Sequence, residues 1–266
     1  MHTARRSVAA PSRQAPPPGV RLYSTLPTVL IGLWTLGMVG LPIGLWTLGP
    51  AMLPWMVSLN VLLLAVASVF LLVQQGGGSA LRTIGTVLAG SWLIEYIGST
   101  TGLPFGAYRY TALLQPQLGD VPLLIPLAWL MMLPAAWTIG ALLAPHSRLA
   151  HGIISAAAMT AWDLFLDPQM VAWGAWGWES PGGYFGIPWL NFAGWFLSAA
   201  LLTWLARPPA LPILPLLWVY TLTWALQSIG LALFWNMIGP ALAGCAVMGA
   251  FVYLAWRRYW KMTADR

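Results

Sequence analysis

Charge is what this sequence lacks most. Only 7% of its 266 residues are Asp, Glu, Lys or Arg, against roughly 25% in soluble domains, so an ordinary water-soluble fold is excluded. Cysteine occurs once, at Cys245 within an apolar run. A lone cysteine excludes an intrachain disulfide and a cysteine metal cluster, and Cys245 reads as a small packing residue. No Gly-x-Gly-x-x-Gly, P-loop or His-Glu-x-x-His pattern occurs, which removes the common dinucleotide, nucleotide and zinc-protease sites. No metal and no cofactor is expected. Of the three histidines, His2 lies in the N-terminal tail, and His146 and His151 flank Arg148, far from the acids.

What fills the sequence is apolar: 59% hydrophobic residues, in runs of about 20 that recur along the chain, the length needed to span a bilayer as a helix. The expected fold is all-α, a polytopic membrane bundle of about eight transmembrane helices. The predicted spans are 26–48, 53–73, 81–97, 121–144, 150–167, 188–206, 211–235 and 237–256. The chain divides into a disordered basic tail over 1–25, a single bundle over 26–256 and a basic C-terminal tail over 257–266. GLWTLG occurs twice in the first span, from Gly32 and from Gly44, and reads as a local duplication of a lipid-facing surface.

The net charge of +6 does not indicate nucleic acid, because of where the cations lie. Arg5, Arg6, Arg13 and Arg21 occupy one tail and Arg257, Arg258, Lys261 and Arg266 the other. With both termini cytoplasmic, eight spans also bring Arg82, Arg148 and Arg207 to the inner side and leave only Arg109 outside, as the positive-inside rule requires. The expected location is the cell membrane, in multi-pass form. The acids follow the opposite rule: Glu95, Asp120, Asp163, Asp167 and Glu179 all fall in the outer loops or the helix ends beneath them.

Asp163 and Asp167 stand four residues apart, one helical turn, so both carboxyls share a face, about 6 Å apart along the axis. Their helix begins HGIISAAAMTAW, which offers little hydrophobicity to offset a buried acid at roughly 2.5–3.5 kcal/mol. It therefore belongs inside the bundle, with the pair facing a cavity. The alternative is structural, in which the acids tie helices together by hydrogen bonds or by a salt bridge to Arg109. Asp120 and Glu179 read as solvated loop residues. In a low-dielectric site, carboxyls crowded around a single arginine favour one of their number keeping its proton.

Aromatic rings surround these acids: Trp162, Trp173, Trp176, Trp178, Tyr184, Phe185, Trp189, Phe192 and Trp195, with Tyr96, Phe105, Tyr108 and Tyr110 from the preceding loop. Each ring alone fits an interfacial belt; together with the acids they describe a dry pocket whose π faces stabilise a cation. The two outer loops, 98–120 and 168–187, carry Gly-Pro turn chemistry and are expected to be ordered lids. Pro104 places the small-residue spacing of Gly98, Gly102 and Gly106 in a loop. Asp163-Leu-Phe-Leu-Asp167 resembles the Asp-rich Mg-binding motif of prenyltransferases, but no second such motif occurs and cations for a diphosphate are missing on that side.

The stretches EYIGSTTGLPFGAYRYT, from Glu95, and WDLFLDPQMVAWGAWGWESPGGYFGIPWLNFAGW, from Trp162, resemble a membrane carotenoid-biosynthesis family. That family includes carotenoid 1',2'-hydratases and bisanhydrobacterioruberin hydratases. The resemblance implies cofactor-independent addition of water to the terminal C1',2' double bond of an acyclic carotenoid, giving a tertiary alcohol. The implied partners are a lipophilic carotenoid, water, the lipid bilayer and other carotenoid enzymes, with no nucleic acid. Such chemistry needs an acid to protonate carbon, a π-lined pocket and a base to orient water. Asp163 or Asp167 is the expected acid and Glu95 the base, with Arg109 setting which carboxyl stays ionised. Tyr108, Tyr184 and Asn191 are candidate hydrogen-bonding supports, and Trp162 and Trp195 candidate walls. The alternatives are a carotenoid cyclase, which captures the same cation with an alkene, a proton-coupled transporter, and a non-catalytic scaffold.

Overall fold

The computed structural model describes residues 25–265. The expected basic tail lies outside the described residues except for Thr25, which opens the first helix. Eight long helices follow: α1 (Thr25–Leu48), α2 (Leu53–Gly76), α3 (Gly78–Thr101), α4 (Leu124–Leu143), α5 (Arg148–Ala172), α6 (Trp189–Ala206), α7 (Ile213–Leu233) and α8 (Ile238–Ala264). Seven of them are long and apolar enough to cross a membrane. The eighth, α3, matches them in length but carries Arg82, Glu95 and many Gly, Ser and Thr residues. The protein is an all-α, multi-pass membrane bundle.

Apolar on every side and buried along nearly its whole length, α4 takes the centre, as expected of a helix without a polar face. Around it α3, α2, α1, α7, α8, α5 and α6 form a ring in which each helix touches the next, the junction of α1 with α7 being the sparsest. α6 meets α4 through long side chains: Trp137 Nε1 donates to Thr203 Oγ1 at 2.7 Å, and Trp129 stacks on Trp195 with centroids 4.6 Å apart. Away from water, polar side chains close onto neighbouring helices. Thr83 donates to the Ala206 carbonyl at 3.0 Å, and the Tyr220 hydroxyl to that of Ala158 at 2.9 Å. Where Gly194 of α6 faces the Pro104 carbonyl, an added Cβ would sit 2.6 Å from that oxygen, so only glycine permits the approach.

Several helices run further than the sequence predicts. α3 continues through Gly98 to Thr101, with Thr100 and Thr101 bonding back to the carbonyls of Tyr96 and Ile97, and stops at Gly102 in the left-handed conformation. Gly98 is thus helical and packs on Phe105. α5 passes through Pro168 to Ala172. A proline inside a helix frees the carbonyl four residues earlier, and here the Tyr184 hydroxyl donates to that carbonyl, on Leu164, at 2.9 Å. α8 likewise extends over residues expected as a basic tail, placing Arg257, Arg258 and Lys261 near its C-terminus, where cations suit the helix dipole.

The loops at the acidic end are ordered by a small sheet. β1 (Tyr108–Tyr110) pairs antiparallel with β4 (Trp176–Trp178), in the register Tyr108 with Trp178, Arg109 with Gly177 and Tyr110 with Trp176. β2 (Gln117–Leu118) and β3 (Val121–Pro122) close a second turn, and Trp92 of α3 holds it by donating to the Leu118 carbonyl at 3.2 Å.

Candidate active site

The site fills the gap that α4 and α6 leave between them at the loop end of the bundle. α3 supplies Glu95, α5 supplies Asp163 and Asp167, and α6 supplies Asn191, all buried. Strand alternation supplies the rest, because side chains two apart on a strand share a face. Tyr108 and Tyr110 both turn toward Glu95, while Arg109 between them turns outward.

Glu95 is well supplied with donors. The hydroxyls of Tyr108 and Tyr110 reach its Oε2 at 2.6 and 2.7 Å, and Trp129 Nε1 reaches Oε1 at 3.1 Å. Burial first, and then the adjacent Glu95 charge, push both tyrosines above the usual phenol range, which keeps their protons in place as donors. Asp167 accepts from Trp176 Nε1 at 3.1 Å and from the Asn191 amide, and the same amide donates to Asp163 Oδ2 at 2.9 Å. Asp163 Oδ1 is buried with no partner among the described residues. The three carboxyls thus differ in donor supply: three for Glu95, two for Asp167, and one shared amide for Asp163.

Glu95, Asp167 and Asn191 line one cavity of about 120 Å³, several times the 10–15 Å³ that a water requires. Along α5 its wall runs from Trp162 to Trp173, about 16 Å at the helical rise. Trp129, Trp162 and Trp195 also line it, with Trp162 meeting the Trp195 ring edge-on at a centroid distance of 6.1 Å. Trp162 Nε1 is buried and unpartnered among the described residues. The remaining wall is mainly apolar, from α1, α2, α4 and α7.

The structure therefore gathers Glu95, Tyr108, Asp163, Asp167, Asn191, Trp162 and Trp195 into one place, and leaves out two residues expected there. Arg109 forms a 3.0 Å ion pair with Glu179, with the two side chains 82% and 53% exposed, so it is a surface residue and sets no carboxyl's charge in the cavity. Tyr184 braces the Pro168 turn of α5 and packs with Ile187 and Phe192 in a separate cluster. Trp129 escaped the sequence reading because it lies in an apolar span with no polar neighbour. Tyr110 and Trp176 were visible only as rings. The Tyr-x-Tyr and Trp-x-Trp alternation was the signal that each pair shares a face. His146 and His151 line a separate cleft with Arg148 and Arg207 at the opposite, basic end. Among the described residues no cluster of acids, histidines or cysteines is suited to a metal ion.

Fold and site together define a multi-pass membrane protein with an acid-bearing, tryptophan-walled cavity inside its bundle. The chain belongs to a family of carotenoid biosynthesis proteins, whose model matches residues 55–251. It is similar to the bisanhydrobacterioruberin hydratase of Haloarcula japonica, with 36% identity over 140 residues, 51% of this chain and 46% of that protein. The matched stretch thus spans about half the length of that curated relative. No solved structure matches the chain.

Proposed function

We propose that the protein is a carotenoid hydratase that adds water across the terminal C1',2' double bond of an acyclic end. The observation that carries this reading is the unequal donor supply of its buried carboxyls beside a wall that includes Trp129, Trp162 and Trp195. Two adjacent carboxyls without a cation hold a proton between them, and the single amide shared by Asp163 and Asp167 fits such a pair. Asp167 lines the cavity and Asp163 does not. Asp167 is accordingly the group that protonates C2', with Asp163 behind it as its proton partner. The C2'–H bond forms with the alkene's electron pair, leaving a tertiary cation at C1'.

The faces of Trp129, Trp162 and Trp195 stabilise that cation. Glu95, held in place by the Tyr108 and Tyr110 hydroxyls and by Trp129 Nε1, is the base of this scheme. It attracts the cation and takes the proton released when water adds at C1'. Return of that proton from Glu95 to the Asp163–Asp167 pair restores the enzyme, and the sum is alkene plus water to tertiary alcohol. A cavity of this size takes the end of the chain while the polyene remains among the helices or in lipid. The similarity to a hydratase supports the reaction type, and the cell membrane, with both termini inside, is the location that the distribution of basic residues supports.

The test is to express the protein with a pathway that accumulates an acyclic carotenoid and to analyse the pigments by mass. Products heavier by one or two waters, with oxygen taken from heavy-oxygen water, are expected. Cyclised products would identify a cyclase. Unchanged pigment across acyclic ends, with the protein inserted in the membrane, would point to a scaffold or a transporter.

A further inference from the structure

The hydration reading leaves unassigned the place where the attacking water is held, and the cavity contains polar groups that no part of the fold uses. Gln169 of α5 and Gln227 of α7 both line it and are both more than nine-tenths buried. Neither side chain makes a hydrogen bond among the described residues. Buried amides in a largely apolar wall are costly unless a partner completes them. Of the other amides there, Asn191 donates to Asp163 and Asp167, and Asn60 donates to the Met56 carbonyl at 2.8 Å while its Oδ1, close to Gly37, has no partner among the described residues. Gln169 and Gln227 make no such bond among the described residues.

Their positions suit water. Gln169 lies two residues beyond Asp167 on the same helix, about 3 Å further along its axis, and Gln227 lies about one turn before Gly230, which also lines the cavity and packs near Trp235. Trp173, just after α5, and Trp235, just after α7, both line the cavity and meet edge to face at 5.1 Å, joining the two walls. A water in an apolar cavity needs two to four polar partners. Two glutamine amides provide both donors and acceptors, and Glu95, which accepts three hydrogen bonds, keeps acceptor capacity for the proton that the water releases.

We infer that Gln169 and Gln227 form the water subsite of the cavity, holding the water that adds to the C1' cation. The inference rests on the hydration reading and goes beyond it by separating water capture from protonation. If the cation forms but no water is held, it returns a proton and regenerates the alkene. In heavy water that return leaves deuterium at C2' of the recovered carotenoid.

The experiment uses the full chain in membranes with an acyclic carotenoid in deuterated water, comparing wild type with Gln169→Leu and Gln227→Leu. Each variant is expected to lose about tenfold or more of its hydrated product, the scale of one lost hydrogen bond in the transition state, while still introducing deuterium at C2' at close to the wild-type rate. Variants that hydrate as fast as wild type overturn the inference alone. So do variants that reach the membrane at normal levels but lose exchange and hydration together. A wild-type protein that neither hydrates nor exchanges overturns the hydration reading as well.

Discussion

Glu95 and Arg109 look alike from the sequence, two charged residues within the most distinctive stretch of an apolar chain, yet they sit in opposite environments. Glu95→Gln replaces an acceptor by an amide facing three donors and is expected to lower hydration by at least ~100-fold, the usual scale for a general base. Arg109→Ala is expected to leave the rate unchanged, because its partner is an exposed glutamate. Pigment analysis of the two variants at matched membrane levels checks both. The Asp163–Asp167 pairing was legible because a four-residue spacing fixes a helical face. Nothing local marked Trp129, Gln169 or Gln227, whose roles depend on which helix they meet. Tyr184 was legible as important but not as to why. Tyr184→Phe should cost about 1–3 kcal/mol, the penalty for a buried carbonyl left without its donor. Thermal unfolding in detergent would register it, while the catalytic rate of the folded fraction stays near wild type.

At the level of elements, the β1–β4 ribbon decides which residues of two distant loops meet. Its strands are three residues long, too short for a periodic pattern to identify with security, although Tyr-Arg-Tyr and Trp-Gly-Trp do alternate. The sequence located the helices well, because each apolar run is bounded by Gly, Pro or charge. It ended α3 and α5 early, reading Gly98 and Pro168 as terminators when Phe105 packing and the Tyr184 hydroxyl compensate for them. The ribbon also carries a pH signature. Tyr108 and Tyr110 are displaced above the ordinary phenol value of about 10. A group whose folded value is raised contributes stability that is complete below its unfolded value and is lost as pH rises toward the folded one. Absorbance titration should therefore show these two phenols ionising only as the bundle opens, well above pH 10, and Tyr110→Phe should remove one of the late transitions. Reversible ionisation of every tyrosine near pH 10, with helicity intact, would contradict the buried ribbon.

On the scale of the whole molecule, a helix without a polar face sits at the centre and a ring of seven closes around it, so the acids of α3 and α5 face inward in the one gap where α4 and α6 meet through tryptophans. The general architecture was readable from hydropathy and charge alone. The ring order was not, since apolar faces in a membrane chain look alike whether they meet lipid or protein. The ring also explains how one cavity can bring together a buried carboxyl pair, tryptophan rings and amides from four different helices. The proposed reaction stands or falls with Asp167, the member of the Asp163–Asp167 pair that reaches the cavity. The most direct measurement is pigment analysis after co-expression of an acyclic-carotenoid pathway with wild type and with Asp167→Asn, each quantified in the membrane. Wild type should yield carotenoids carrying added water, and Asp167→Asn less than about one hundredth of that yield. Hydration by Asp167→Asn at the wild-type rate would contradict the assignment of the acid and, with it, the mechanism built on the cavity.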